Sequence, residues 1–235
     1  MPVVSGALAH ALADPDASRA RRWSDLRPRV LSAAVLAPLA LLCLWFGGWP
    51  WTLLVVLTTL GLAYEWRKLA RHRPGPWFLA AGLLCILPGM AALIWLRADR
   101  LVGRSDMLFV VAVVWASDIG AYMIGRLLGG PKLAPAISPG KTWSGSGGGL
   151  ACAMLVGLVS GGGAHAMLVA AGLSLAAQCG DLLESSIKRH VGVKDSGTLI
   201  PGHGGLLDRL DGVLAAAPAA ALLAMALGCG VEIWQ

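Results

Sequence analysis

The run MLFVVAVVWASDIGAYMIG, residues 107–125, decides the fold class. It holds 19 residues and one charge, Asp118. A helix needs about 20 mainly apolar residues to cross a bilayer. Similar runs recur on both sides of it. Spans are expected at about 28–46, 50–66, 77–96, 107–125, 146–163, 166–186 and 211–231. The composition agrees: 57% of the 235 residues are hydrophobic and only 14% are charged. A soluble domain carries about a quarter. The expected fold is therefore all-α, a polytopic integral membrane protein of about seven transmembrane helices.

Topology follows from the basic residues. With the N-terminus in the cytoplasm and alternating spans, sixteen Lys and Arg fall on inner segments. Only Arg97, Arg100 and Arg104 fall outside. This is the positive-inside pattern. It accounts for the net charge of +6 without nucleic acid as a partner. The five cysteines lie in apolar stretches and contain no C-x-x-C pair, so they read as small buried hydrophobes. Residues 1–27 form a polar N-terminal segment with a flexible start, 28–104 the N-terminal helices, and 105–235 a second region with a cytoplasmic loop at 187–211.

Three constellations in the second region break the apolar pattern. In GDLLESSIKRH, residues 180–190, Asp181, Glu184, Ser185 and Lys188 recur at spacings of three and four and share a helix face. A plain Glu184–Lys188 pair at a solvated helix end would explain Glu184 but not Asp181, which lies deeper in the run. In PGHGGLLDRLDG, residues 201–212, Asp208 and Asp211 are three apart behind a glycine-rich turn. Simple helix capping is the plainer alternative there. His203 is a polar loop residue or a substrate contact. In residues 117–149, Asp118 interrupts a span and Lys141 precedes a glycine run opening a helix. Lys141 is either a phosphate contact or a membrane-surface anchor. The P-loop spacing is absent.

Acids at membrane depth are functional candidates. Here they share one side of the membrane with Lys132, Lys141, Lys188, Arg189, Lys194 and Arg209. Hard oxygen donors suit Mg²⁺ shared with a phosphate substrate, and the cations suit the remaining phosphate oxygens. Phosphoryl chemistry needs such positioning and neutralisation more than a strong base. The membrane setting makes a lipid substrate the natural partner.

The stretch SSIKRHVGVKDSGTLIPGHGGLLDRLD, residues 185–211, closely resembles the signature of the phosphatidate cytidylyltransferases, or CDP-diacylglycerol synthases. SDIGAYMIGRLLGGPKLAPAISPGKT, residues 117–142, is similar to their second motif. The resemblance implies transfer of CMP from CTP to phosphatidate, giving CDP-diacylglycerol and pyrophosphate, with Mg²⁺ and in some family enzymes K⁺. It implies metal binding by Asp181 and Asp208, with Asp211 supporting the centre and Lys188 acting beside them. Ser138, Lys141, Arg189, Lys194, His203 and Arg209 become substrate contacts. Ile119 stands where the family usually has a hydroxyl, and Ser144 where it usually has Glu or Gln. Against the family pattern the chain is also short, lacking a pair of helices between residues 70 and 80, which bears on the lipid pocket and the dimer contacts but not on the phosphate site; a homodimer stays open. The expected location is a bacterial plasma membrane with the site facing the cytoplasm. Two other readings remain: a related CTP-dependent transferase with another lipid acceptor, and a transporter lined by intramembrane acids.

Overall fold

The computed structural model describes residues 15–99, 101–197, 199–200, 204–228 and 230–235, with side chains from residue 31 onward. Among the described residues there are seven helices: α1 (Pro15–Phe46), α2 (Gly48–Ala70), α3 (Pro76–Ala98), α4 (Gly103–Leu128), α5 (Trp143–Val159), α6 (Gly163–His190) and α7 (Leu207–Leu227). Four of them, α3, α4, α6 and α7, are long and apolar enough to cross a membrane. Leu31–Phe46 and α5 are shorter apolar helices. The chain is an all-α, multi-pass membrane protein.

Helix limits differ from expectation in instructive places. The expected flexible start is helical from Pro15. Proline is tolerated in a first helical turn, and Ala and Arg favour the turns that follow. Helix α6 runs on to His190, and α7 begins at Leu207. The connection at the expected loop 187–211 is therefore shorter, and both Asp208 and Asp211 are already helical. Between α4 and α5 lies an unexpected antiparallel hairpin, β1 (Lys132–Ala134) and β2 (Ser138–Thr142). Thr142 then caps α5, its Oγ1 accepting from Gly145 N at 3.1 Å.

One apolar core joins residues from all seven helices, including Leu44, Leu62, Met90, Val110, Ala153, Ala170 and Ala220. Helices α4 and α5 approach closely through small residues. A Cβ on Gly149 would stand 2.7 Å from Ser117 O, and one on Gly120 2.6 Å from Cys152 Sγ.

The bundle has two chemically different ends. At one end, Arg97 donates to Leu44 O at 2.7 Å, and the Arg104 guanidinium lies 4.5 Å from the Trp45 ring centroid. The C-terminal residues fold back there: Ile233 N donates to buried Asp106 at 3.1 Å, and Trp234 stacks on Phe109. At the other end meet the last turns of α4 and α6, the hairpin, and the first turns of α5 and α7.

Candidate active site

The polar end encloses a cavity of about 760 Å³. Its α4 wall presents Asp118, Tyr122, Gly125 and Arg126, which follow one another at helical spacing. Opposite stand Asp181 and Lys188 of α6 with Asp208, Arg209 and Asp211 of α7. The hairpin and the start of α5 add Lys132, Lys141, Thr142 and Ser146.

Cations and carboxylates interlock here. Lys141 Nζ lies 2.6 Å from Asp181 Oδ2. Lys188 Nζ bridges two acids, at 2.6 Å from Glu184 Oε2 and 2.6 Å from Asp208 Oδ1. Asp208 also receives Gly205 N at 3.0 Å and Ser196 N at 3.1 Å on Oδ2. This carboxylate is held from three directions. Asp181, Glu184 and Asp211 offer oxygens that all lie within 4.8 Å of one another. Three hard oxygen donors in that space fit a divalent cation such as Mg²⁺. The expected ligand set was Asp181, Asp208 and Asp211. The structure instead brings Glu184 to Asp181 and Asp211, and turns Asp208 onto Lys188. The Glu184–Lys188 pair of the plainer reading is present, but buried inside the centre rather than at a solvated helix end.

Other sequence candidates separate by position. Lys141 and Arg209 line the cavity. Arg189 does not: it donates to Ile137 O at 3.2 Å and Val193 O at 3.3 Å, tying the hairpin to the end of α6. Ser138 opens β2 opposite Ala134, and neither it nor Lys194 lines the cavity. His203 lies outside the described residues.

Two further groups, neither given a role by the sequence, belong to the site. Ser146 Oγ donates to Gln178 Oε1, and Gln178 Nε2 donates to Ser174 Oγ at 3.2 Å. Ser174 in turn meets Ser117 at 2.8 Å. These side chains lock α4, α5 and α6 together at the cavity, which Ser146 and Gln178 line. Small polar residues scattered in apolar helices carry little sequence signal. The second is Glu65 of α2, only 1% exposed. Its oxygens accept from Leu206 N and Leu207 N, both at 2.9 Å, and from Ser196 Oγ at 3.3 Å. Glu65 and Trp66 ahead of the basic Arg67 and Lys68 resemble the end of the second span in the phosphatidate cytidylyltransferases, but the sequence assigns Glu65 no partner.

Comparison with known proteins places this geometry. A family model described as the cytidylyltransferase family matches residues 76–227. A phosphatidate cytidylyltransferase of Brucella suis is 39% identical, over 83% of this chain and 91% of its own length. One from Rickettsia bellii is 35% identical, over 84% and 90%. One from Pseudomonas aeruginosa is 41% identical, over 77% and 68%. The matched region contains the cavity's charged walls, and the chain belongs to the cytidylyltransferase family.

Proposed function

We propose that the chain transfers the cytidylyl group of CTP to phosphatidate, giving CDP-diacylglycerol and pyrophosphate. The observation that carries this reading is the cavity where acids and cations interlock against a wall formed by an apolar helix. A volume of about 760 Å³ suits a nucleotide-sized ligand. Family membership and the names of the relatives support the same reaction.

In this reaction a phosphate oxygen of the lipid forms a bond to the α-phosphorus of CTP. The bond from that phosphorus to the β-phosphate bridging oxygen breaks, and pyrophosphate leaves with the electron pair. The attacking phosphate is already an anion, so no strong base is required. What the site must do is neutralise and align. Lys141 and Lys188 stand poised to exchange carboxylate partners for phosphate oxygens. Arg209 and Lys132 widen the positive field across the cavity. Asp208, fixed by two backbone amides, sets where the Lys188 ammonium sits. Asp181, Glu184 and Asp211 would hold Mg²⁺, with K⁺ as a further ion, and Mg²⁺ would offset charge on the triphosphate.

Residues 105–235 form the catalytic region under this reading, and residues 28–104 brace it. CTP is a cytosolic nucleotide, so the polar end faces the cytoplasm of a bacterial plasma membrane. The excess of Lys and Arg at that end supports the same orientation.

The test supplies purified protein with radiolabelled CTP, phosphatidate and Mg²⁺ and scores label in the lipid phase. Label is expected there only when all three are present. Label that appears equally without phosphatidate, or only with another lipid acceptor, would overturn the assignment.

A further inference from the structure

Helix α7 carries Asp208 in its first turn, yet its own sequence does not cap it. Leu206 occupies the N-cap position and makes no side-chain capping bond. The opening amides of a helix need acceptors, and a negative charge beside them is favoured by the helix dipole. Glu65 supplies both from another helix. One carboxylate oxygen takes Leu206 N and the other takes Leu207 N, across 141 and 142 residues of sequence.

Ser196 ties the same carboxylate to the catalytic centre. Its hydroxyl donates to Glu65 Oε2 at 3.3 Å while its backbone N–H donates to Asp208 Oδ2 at 3.1 Å. The two acids therefore share one clamp. The fit is tight. A Cβ on Gly197 would stand 2.5 Å from Glu65 Oε1, and one on Gly205 would collide with Ser196 Oγ. Both positions need glycine to let the backbone reach the carboxylates. Among the described residues, the Glu65 carboxylate accepts its hydrogen bonds from the segment that presents Asp208. It lies in α2, N-terminal to residues 76–227 that the family model matches.

We infer that Glu65 is a positioning residue for the reaction, acting through the start of α7 and Ser196 to hold Asp208 against Lys188. This rests on the proposed function for its kinetic readout. Through it, the N-terminal helices take part in setting the catalytic geometry.

The experiment uses full-length protein in lipid nanodiscs. Glu65→Gln and Glu65→Ala are compared with the parent for kcat, for KM of CTP, and for amide hydrogen exchange. Because Glu65 acts on the Lys188 charge only through Asp208, kcat is expected to fall by about 10- to 100-fold, less than for loss of the Asp208 charge itself, while KM changes less than about threefold. Exchange protection at Leu206 and Leu207 is expected to fall without a matching loss across α4 and α6. Placed on Asp208→Asn, Glu65→Gln should add less than about threefold, since both act on one group. Should these variants fail to fold, Glu65→Asp keeps the charge but withdraws the oxygens by one methylene, and its kcat is expected to fall too. A folded Glu65 variant with kcat within about twofold of the parent, or full multiplicative effects in the double variant, would overturn the inference. Absence of lipid product from the parent protein would sink the proposed reaction instead. The exchange measurement would then still judge the Glu65 contact.

Discussion

Lys188 stands between Glu184 and Asp208 at 2.6 Å from each, so the central cation is shared before any substrate arrives. Asp208→Asn keeps the shape and loses the charge that fixes Lys188. Loss of about 10²- to 10³-fold in kcat is expected, the scale on which a single electrostatic stabiliser acts. The variant should insert and purify as the parent does, and steady-state kinetics on folded protein checks it. Lys141→Ala removes the partner of Asp181 at the cavity edge. Its expected effect is a rise of about tenfold in KM for CTP or phosphatidate; an unchanged rate at low substrate would reduce Lys141 to a membrane anchor. These residues were legible because each puts a charge where apolar residues should continue. Glu65 was not legible by that logic. A basic pair follows it closely, and only folding reveals that its partners lie about 140 residues away. The grouping of Glu184 with Asp181 and Asp211 was equally hidden, because spacing gives a shared face but not which oxygens converge.

At the scale of elements, glycine decides how α5 sits. In the sequence, SGSGGG at residues 144–149 weakens the apolar span that it opens, yet glycines also let neighbouring helices approach closely. The structure shows the second effect: α5 is short, yet it packs tightly on α4 through Gly145, Gly148 and Gly149. That contact also sets Thr142 and Ser146 on the cavity wall. Gly149→Leu is expected to force α5 away from Ser117, costing about 1–3 kcal/mol as overpacking does and lowering activity with it. Gly147→Ala is the matched control, because a Cβ there meets nothing within 4 Å. It should leave activity unchanged and stabilise by up to about 1 kcal/mol through helix propensity. Thermal unfolding of both variants in one detergent separates the outcomes. The hairpin, by contrast, was not legible. Its sequence, PKLAPAISPGKT, has three prolines and no sustained alternation. Its pairing is reinforced from outside by Trp143 N donating to Pro131 O and by Arg189 donating to Ile137 O.

At the scale of the whole molecule, the contacts fix how the helices alternate. Arg97 of α3 meets the end of α1, and Glu65 of α2 meets the start of α7. Helices α4 to α7 then run alternately between the same two ends. Hydropathy alone marked where spans could lie, and the basic residues suggested which ends belong together. Neither could show that the C-terminal segment closes the far end by burying Ile233 and Trp234. This arrangement makes orientation testable at two positions chosen for opposite ends. Single cysteines at Lys194 and Gln235, each in a background without the native cysteines, would be exposed to a membrane-impermeant maleimide in spheroplasts. Gln235 is exposed beside the folded C-terminal segment, and Lys194 is exposed in the connection after α6. Labelling is expected at residue 235 in intact spheroplasts and at residue 194 only after lysis. The reverse pattern would put the cavity on the side without CTP. Labelling of both sites before lysis would break the alternation itself. The Lys and Arg asymmetry predicts the first pattern, since moving the polar end outward would leave its basic residues on the unfavoured side of the bilayer.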